Sequence, residues 1–275
     1  MRGRGWELGT ETGVMAILNL TPDSFFAPSR VVEADVVERA GVALSLGADV
    51  LDLGAESTRP GAGAVPAEEE QARLLPALRA LRARFPTALI SVDTYHARTA
   101  EAALQAGADI VNDVTGLEDP GMGPLLAASK AGAVLMHRRG QFRDMHRLPP
   151  LADPLGSVRE GLEIVLQRAV AAGVDPEQIV LDPGFGFGKN MDENLPVLAG
   201  LDRLHEFGRP LLAGVSRKSF LGAGGAGERL PASLAAGVSA VLAGAHLLRV
   251  HDVAASVAAA RFADRLLSAG RDGTT

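Results

Sequence analysis

Eight short runs rich in Val, Ile and Leu recur along this 275-residue sequence, and they limit its fold more than any other feature. The runs are Val14–Leu18, Val50–Leu53, Leu89–Val92, Ile110–Val111, Ala133–Met136, Ile179–Leu181, Leu211–Val215 and Leu247–Val250. Most are continuously apolar instead of alternating with polar residues. That pattern is typical of strands buried on both faces of a parallel sheet.

Apolar residues at three- and four-residue spacing predict helices between these runs. The predicted helices are Glu33–Leu46, Glu68–Arg84, His96–Ala106, Ser157–Ala171 and Asp252–Leu267. Several end at a glycine, which can adopt the left-handed conformation that closes a helix. An aspartate stands two positions later in Gly47–Asp49, Gly107–Asp109 and Gly173–Asp175, just before the next strand.

Eight strands that alternate with helices, without a break in composition, predict an α/β protein folded as a single (β/α)8 TIM barrel. The chain length suits one such barrel, which typically has about 250 residues. We therefore expect one domain over residues 1–275, with an N-terminal extension over 1–12 and a disordered tail over 271–275. A doubly wound open sheet is the alternative that this pattern allows.

Composition and charge exclude several classes of function. A net charge of −6 and 4% aromatic residues leave neither a basic stripe nor a stacking platform for nucleic acid. The sequence has no cysteine, so disulfides, thiolate catalysis and zinc–thiolate sites are excluded. The most apolar stretch, Ala232–Leu248, is shorter than the roughly 20 residues of a membrane span and is interpreted as a buried helix followed by a strand. Because residues 1–13 do not resemble a signal peptide, we expect a cytoplasmic protein without membrane or nucleic-acid partners.

Side chains suited to a binding site stand at the C-terminal ends of the predicted strands, which is where (β/α)8 enzymes place their active sites. In chain order these ends carry Asn19, Glu56, Ser57, Thr58, Arg59, Asp93, Asn112, Asp113, Met136, His137, Asp182, Ser216, Arg217, Lys218, Ser219, Arg249, His251 and Asp252. Any one of them alone could merely cap the following helix. Their joint occurrence indicates a site.

The chemistry of these strand ends divides into two parts. Cationic side chains gather after strands seven and eight, where barrels often bind phosphate: Arg217, Lys218, Arg249 and His251. On the intervening strands, Asp93, Asn112 and Asp182 offer acceptors and an amide that can bind the edge of a flat heterocycle. The pattern predicts a ligand in which a polar ring is linked to an anionic group.

Two glycine-rich segments resemble nucleotide-binding motifs but lack required residues. Gly184–Asn190 has Pro183 where a P-loop needs its first glycine, and Asn190 where it needs Ser or Thr. Gly222–Gly227 matches the dinucleotide fingerprint, but it does not follow a strand directly and has no acid about 20 residues later. We interpret it as a flexible loop.

Seven segments follow one another in the order of a known set of signature motifs: Ile17–Phe25, Gly54–Gly61, Ser91–Thr94, Asn112–Val114, Asp182–Lys189, Ser216–Ser219 and Arg249–Asp252. Together they resemble the dihydropteroate synthase family of pterin-binding enzymes. The resemblance covers nearly the whole chain. Each segment alone is weak, but the complete set is highly specific.

The resemblance implies a transferase of folate biosynthesis that is the target of sulfonamide inhibitors. The family joins p-aminobenzoate to 6-hydroxymethyl-7,8-dihydropterin diphosphate and releases pyrophosphate, by a dissociative displacement at the pterin methylene. A Mg²⁺ ion is expected on the diphosphate, with Asn19 as its protein ligand. We also expect a homodimer, since the family is usually dimeric and the last helices are rich in alanine.

By resemblance, the site residues fall into four sets. The pterin is expected to contact Asp93, Asn112, Met136, Asp182, Lys218 and Arg249. The diphosphate is expected to contact Asn19, Thr58, Arg249 and His251. Around p-aminobenzoate we expect Arg59, Pro60, Phe187, Lys218 and Ser219, with its carboxylate at the N-terminus of the helix after strand seven. The catalytic roles fall to Asp182, Lys218, Arg249 and His251.

The sequence leaves the family pattern at Phe26–Ser29, which replaces the usual Ser-Asp-Gly-Gly. This change is the only support for one alternative, a non-catalytic pterin-binding barrel. A second alternative transfers a methyl group from methyltetrahydrofolate to a corrinoid, but it has no need for the anion-binding Thr58–Arg59 and Ser216–Ser219. A sugar-phosphate aldolase or isomerase would need a Schiff-base lysine or an acid–base pair, and Lys218 is the only lysine candidate.

Overall fold

Eight parallel strands form the centre of the molecule, as the sequence predicts. The computed structural model describes residues 6, 8, 9, 11–20, 29–56 and 65–272. The strands are β1 (Gly13–Asn19), β2 (Val50–Gly54), β3 (Leu89–Asp93), β4 (Ile110–Asp113), β5 (Gly132–Met136), β6 (Ile179–Asp182), β7 (Leu212–Ala213) and β8 (Leu247–Val250). Their order in the sheet is β6-β5-β4-β3-β2-β1-β8-β7.

A bridge between the two end strands completes the ring. Leu181 pairs with Leu211 in parallel, and the Leu181 N–H donates to the Pro210 carbonyl over 2.9 Å. The sheet is therefore a (β/α)8 barrel, and the open-sheet alternative is wrong. The seventh strand is shorter than the predicted run Leu211–Val215, because the chain leaves the ladder after Ala213.

Helices follow the strands around the outside of the barrel. They are α1 (Ser29–Ser45), α2 (Ala67–Arg84), α3 (Ala97–Ala106), α4 (Met122–Ser129), α5 (Pro154–Ala171), α6 (Met191–Ala199), α7 (Leu230–Leu242) and α8 (Val253–Asp272). The sequence pattern did not delimit α4 and α6, which are short. The final helix extends to Asp272, so residues 271 and 272 are helical and not part of a disordered tail. No helix in the described ranges has the length and apolar character needed to cross a membrane.

The Gly-x-Asp segments connect helices to strands at the N-terminal face of the barrel. Gly47 and Gly107 have φ of 93° and 112°, values that glycine adopts without the strain of a side chain. Two residues on, Asp49 accepts from the Val14 N–H over 2.8 Å, and Asp109 accepts from the Ile90 N–H over 3.0 Å. Each of these carboxylates thus fixes the start of its own strand beside the preceding one.

The interior of the barrel has an apolar lower half. Inward-facing side chains from all eight strands meet there with Trp6: Met15, Val50, Leu89, Ile110, Val134, Val180, Leu212 and Leu247. The Trp6 ring covers Gly13 so closely that a Cβ on that glycine would lie 2.5 Å from it. A much larger apolar core fills the space between strands and helices. The N-terminal end of the barrel is consequently filled.

Arg82 and Asp109 form a buried ion pair that connects α2 to the start of β4. Arg82 also donates to the carbonyls of Gly107, over 2.7 and 2.9 Å, and Ala88, over 2.8 Å. Asp109→Ala should lower the free energy of unfolding by about 3–5 kcal/mol, because it leaves a buried guanidinium without its carboxylate. Urea denaturation measures this effect.

The matched control is the exposed pair of Arg98 and Glu68, whose charged atoms lie 3.8 Å apart. Glu68→Ala should leave the denaturation midpoint nearly unchanged, since exposed pairs contribute little. Equal effects of the two substitutions would show that the Arg82–Asp109 pair is not what stabilises this face.

Candidate functional site

The upper half of the barrel interior is polar. Side chains alternate across a strand, so the residue two positions after each member of the apolar layer also faces inward. These residues are Ile17, Asp52, Ser91, Asn112, Met136, Asp182, Gly214 and Arg249. At Gly214 a Cβ would lie 3.9 Å from Asp182 Oδ2 and 4.0 Å from Arg249 Cβ, so the missing side chain leaves room between these two groups.

Strand register brings most of the predicted ring-binding residues together at this level. Asp93 pairs with Asn112 across β3 and β4, and Met136 pairs with Asp182 across β5 and β6. All four are buried. Arg249 enters the same space from β8, because its guanidinium Nη2 donates to Asp93 Oδ2 over 2.7 Å.

Asp52 is a residue of this site that the sequence analysis missed. It is fully buried, and its Oδ2 accepts from Arg249 Nε over 2.7 Å and from the Asn112 amide over 3.2 Å. It therefore touches one residue of each predicted group, the cationic and the ring-binding. The available signal was a carboxylate inside the run Val50–Leu53, since a charge on an inward-facing position of a barrel strand needs a partner.

The Arg249 guanidinium is bound between two carboxylates, those of Asp52 and Asp93, and this arrangement is called the Arg249 clamp below. Burial alone would lower the pKa of its guanidinium, but Asp52 and Asp93 raise it above its usual value. Burial raises the pKa of Asp93 to about 7, against the opposing effect of Arg249. Asp93 Oδ1, Asp52 Oδ1 and Ser91 Oγ are buried without a hydrogen-bond partner. Such atoms in a folded protein call for a water or a ligand.

Lys218 follows β7, the neighbour of the strand that carries Arg249. Its ammonium donates to the Phe185 carbonyl and lies 4.5 Å from the centre of the Phe187 ring. Burial lowers the pKa of Lys218 to about 8, although the nearby Asp182 opposes this change. Burial likewise raises the pKa of Asp182, whose Oδ1 accepts from the Gly184 N–H over 2.7 Å.

The loop after β6 places Phe185 and Phe187 beneath Lys218, and a second lysine fixes its shape. Lys189 Nζ donates to the carbonyls of Gly184 and Phe187 over 2.9 and 3.1 Å. This lysine of the P-loop-like segment therefore binds the carbonyls of its own loop. Gly184 has a φ of 67°, and a Cβ there would lie 2.0 Å from the His137 carbonyl oxygen, so only glycine fits.

His251 lies after β8 and is connected to the loop after β7. Its backbone N–H donates to Ser216 Oγ over 3.2 Å, and its Nδ1 lies 3.1 Å from the same oxygen. The two loops that carry Lys218 and His251 are thus joined at the mouth of the barrel.

Asn19 ends β1 and is suited to the metal that the resemblance implies. Its Oδ1 would lie 3.6 Å from a Cβ on Gly54, and Asp93 Cβ is equally close to that position. The amide oxygen therefore faces the barrel mouth. No group of three or more His, Asp or Glu side chains that could hold a metal occurs among the described residues. One oxygen ligand fits Mg²⁺ bound mainly by diphosphate and water.

Some of the residues predicted to contact the diphosphate or p-aminobenzoate lie outside the residues that the structure describes. Thr58, Arg59 and Pro60, like Phe26–Pro28, fall outside the described residues. Ser219 is exposed and begins a three-residue 3-10 turn, Ser219–Leu221, whereas α7 starts only at Leu230. A 3-10 turn and the glycine-rich segment thus lie between β7 and α7, and the contact between the p-aminobenzoate carboxylate and a helix N-terminus stays a prediction.

That glycine-rich segment is a series of turns held by side chains. Arg229 donates to the carbonyls of Gly222 and Gly224 over 3.0 and 2.6 Å. Glu228 accepts from the Gly225 N–H over 2.6 Å. No nucleotide-binding strand precedes the segment directly, in keeping with the sequence analysis.

Comparisons with known proteins agree with this arrangement. A model of the pterin binding enzyme family matches residues 15–251. The dihydropteroate synthase of Escherichia coli K12 is 42% identical over 262 residues, which cover 93% of this chain and 92% of the relative. These matches first define the chain as a pterin-binding (β/α)8 enzyme.

Two solved structures narrow the class. Yersinia pestis dihydropteroate synthase in complex with a sulfonamide drug has a TM-score of 0.89 and 38% identity, covering 97% of this chain and 98% of that one. Dihydropteroate synthase from Xanthomonas albilineans in complex with 7,8-dihydropteroate has a TM-score of 0.82 and 36% identity, covering 94% and 93%. The chain belongs to the dihydropteroate synthase family, whose members are transferases.

Asp52 should be needed for pterin binding. Asp52→Asn keeps the shape of the side chain but removes the charge that faces Arg249. A hydrogen bond to a charged group contributes about 1.5–3 kcal/mol, so affinity for a dihydropterin should fall by roughly tenfold or more. Calorimetric titration measures the change.

Asp49→Asn is the matched control, since it makes the same change at the N-terminal face of the barrel, where Asp49 accepts from the Val14 N–H and does not face the pocket. It should bind the dihydropterin as the wild type does. Wild-type affinity in Asp52→Asn, with an unchanged melting temperature, would remove Asp52 from the binding machinery.

Dihydropterin binding should be strongest between about pH 7 and about pH 8. Below the pKa of Asp93, near 7, the carboxyl is protonated and loses acceptor capacity. Above the pKa of Lys218, near 8, the ammonium loses its charge. Affinity measured across pH 5.5 to 9.5 tests this, as an order-of-magnitude pH window.

Two variants show which group causes the loss of affinity on each side of that pH profile. Asp93→Asn should remove the acid limb, and Lys218→Arg should remove the alkaline limb because arginine stays protonated. A profile that keeps both limbs in both variants would show that other groups control binding.

Proposed function

We propose that this protein condenses p-aminobenzoate with 6-hydroxymethyl-7,8-dihydropterin diphosphate to give 7,8-dihydropteroate and pyrophosphate. The observation that carries the proposal is the clamp of Arg249 between Asp52 and Asp93 in the upper barrel. It places acceptors for a polar ring and a cation for an anionic group within one pocket. Membership of the dihydropteroate synthase family supports the same reaction.

The ring is proposed to lie over the inward-facing layer. Asp93 Oδ1 lacks a partner and can accept from ring N–H groups, while the Asn112 amide can both donate and accept. Asp182 faces the same space as a buried carboxylate. Met136, pressed beneath the loop after β6, supplies an apolar surface for the ring.

The diphosphate is proposed to lie toward the mouth. Arg249 and His251 stand at and after the end of β8, on the side where barrels commonly bind phosphate. Asn19 and Thr58 complete this set. When bound, Mg²⁺ would neutralise charge on the leaving diphosphate, with Asn19 as its protein ligand.

The proposed reaction breaks one bond and forms one. The C–O bond between the pterin methylene and the diphosphate breaks, and its electron pair leaves on the diphosphate oxygen. The nitrogen of p-aminobenzoate supplies the pair for the new C–N bond and then loses a proton. Cationic side chains toward the diphosphate stabilise the charge that develops on it.

The opposite charge develops on the pterin as the diphosphate leaves. Asp182 is the carboxylate best placed to stabilise it, because it faces the ring and is buried, where charge interactions are stronger than in water. No covalent intermediate with the protein is needed. Lys218 balances Asp182 before the substrate binds.

The second substrate is proposed to bind against the loops after β2, β6 and β7. Phe187 offers a ring face beside Lys218, and the exposed Ser219 offers a hydroxyl and a backbone N–H. Arg59 and Pro60 are assigned to this subsite by resemblance. Since the Y. pestis relative is solved with a sulfonamide drug, we propose that sulfonamides compete here.

We also propose that the chain assembles as a cytoplasmic homodimer through its last helices. α7 and α8 pack on each other, and α8 exposes large apolar side chains. Phe262 is 57% exposed and Leu266, one turn later, is 47% exposed. An exposed apolar stripe of this kind is typical of a protein interface.

The purified protein with Mg²⁺, the pterin diphosphate and p-aminobenzoate should form dihydropteroate and pyrophosphate. Lys218→Ala should lower kcat/KM by about 100-fold or more, as expected for the loss of one preorganised electrostatic contact. Lys130→Gly, on the opposite face, should be fully active. Binding of the pterin without product would favour the non-catalytic barrel, and full activity of Lys218→Ala would overturn the role of the seventh strand.

Phe262→Glu should convert the dimer to a monomer, because a carboxylate cannot be buried unpaired in an apolar interface. Light scattering after size-exclusion chromatography measures the mass. Ile164→Glu provides the control, since Ile164 is 54% exposed but lies on α5. A wild-type monomer, or a dimer that survives Phe262→Glu and dissociates with Ile164→Glu, would contradict this interface.

A further inference from the structure

Arg217 adopts a backbone conformation that non-glycine residues rarely adopt. Its φ is 58°, and it occupies the third position of a turn from Val215 to Lys218, in which the Lys218 N–H donates to the Val215 carbonyl over 3.4 Å. Glycine or asparagine is the usual residue where a turn needs positive φ at this position. Because this conformation is strained, contacts with the surrounding structure must hold Arg217 in it, next to Lys218.

Both backbone groups of Arg217 are fixed by side chains. Its N–H donates to Ser233 Oγ over 2.8 Å, and its carbonyl accepts from Arg229 Nη1 over 3.2 Å. Ser233 lies on α7, and Arg229 immediately precedes that helix. The turn is therefore anchored to the outer helix, and Lys218 leaves it toward the pocket.

The side chain of Arg217 connects this turn to the loop after β8. Its Nε donates to Asp252 Oδ2 over 2.8 Å, and its Nη2 donates to Asp252 Oδ1. This two-pronged contact is the geometry in which arginine fixes a carboxylate most firmly. Asp252 directly follows His251, so the pair joins the loop that carries Lys218 to the loop that carries His251.

We propose that Arg217 and Asp252 act as a positioning pair that sets the spacing between Lys218 and His251. The inference rests on the proposed function and on the contacts that the resemblance implies, of Lys218 with the pterin ring and of His251 with the diphosphate. One substrate molecule must reach both residues at once. Binding of its second end is favoured only when the two subsites stand at the matching distance.

The proposal predicts different effects on the intact substrate and on its two halves, the pterin alcohol and pyrophosphate. Without the pair, each loop can still adjust to a ligand that touches it alone. In Asp252→Asn and Arg217→Gly, binding of 6-hydroxymethyl-7,8-dihydropterin and of inorganic pyrophosphate with Mg²⁺ should each stay within about twofold of wild type. For the intact pterin diphosphate, kcat/KM should fall by about tenfold or more in the same variants.

Arg217→Gly is chosen because glycine keeps positive φ without strain and removes only the side chain. Arg217→Ala removes the pair but keeps the Cβ that is strained at positive φ, so it should be less stable than Arg217→Gly. Asp252→Glu, which keeps the charge, should recover part of the lost kcat/KM. Lys130 provides the control for positive φ itself, since its φ is 54° at the end of α4. Lys130→Gly, which relieves the strain at positive φ, should raise the melting temperature and leave the kinetic constants unchanged.

The measurements are calorimetric titrations of the two halves and steady-state kinetics of the intact substrate, made on the same folded variants. If affinity for each half falls by the same factor as kcat/KM for the intact substrate, the site is damaged in general, and the positioning role of the pair is overturned. Wild-type kinetics in Asp252→Asn and Arg217→Gly would also overturn it. If the wild-type protein binds neither half, the proposed function fails and the inference fails with it.

Discussion

One guanidinium, that of Arg249, organises the site. It enters the barrel from the eighth strand and is bound by carboxylates from the second and third, Asp52 and Asp93. Burying three charges together is unfavourable unless each has partners, and here the amide of Asn112 shares the deepest carboxylate. The remaining unpartnered oxygen of Asp93 is then available to a ligand. Binding capacity in this pocket depends on that arrangement of charges.

The sequence predicted the barrel, most strand positions and the meeting of Asp93, Asn112, Asp182 and Arg249 at one end. It could do so because strand period and the common C-terminal edge of a barrel are local properties repeated eight times. The same regularity makes the Gly-x-Asp segments recognisable in the sequence, but it does not show which groups their aspartates bind. Only the three-dimensional contacts show that Asp49 and Asp109 bind an N–H near the start of a neighbouring strand.

The parts that could not be predicted depend on long-range contacts. Asp52 lies within an apolar run, and its partner Arg249 is 197 residues away in sequence. Nothing local marks Arg217 as a residue with positive φ, since the contacts that hold it come from α7 and from the loop after β8. The sequence shows that the segment around Lys189 departs from a P-loop, but only the fold shows that this lysine binds the carbonyls of its own loop.

The apolar layer beneath the site has a kinetic consequence. Trp6 and the inward-facing side chains fill the N-terminal end of the barrel, so among the described residues the pocket opens toward its mouth. In the proposed reaction the pterin ring binds deepest, and p-aminobenzoate binds above it. Entry from the mouth would therefore impose an order on the proposed reaction: the pterin arrives before p-aminobenzoate, and the product leaves with its ring last. Any molecule bound at the outer subsite would hold the inner ligand in place.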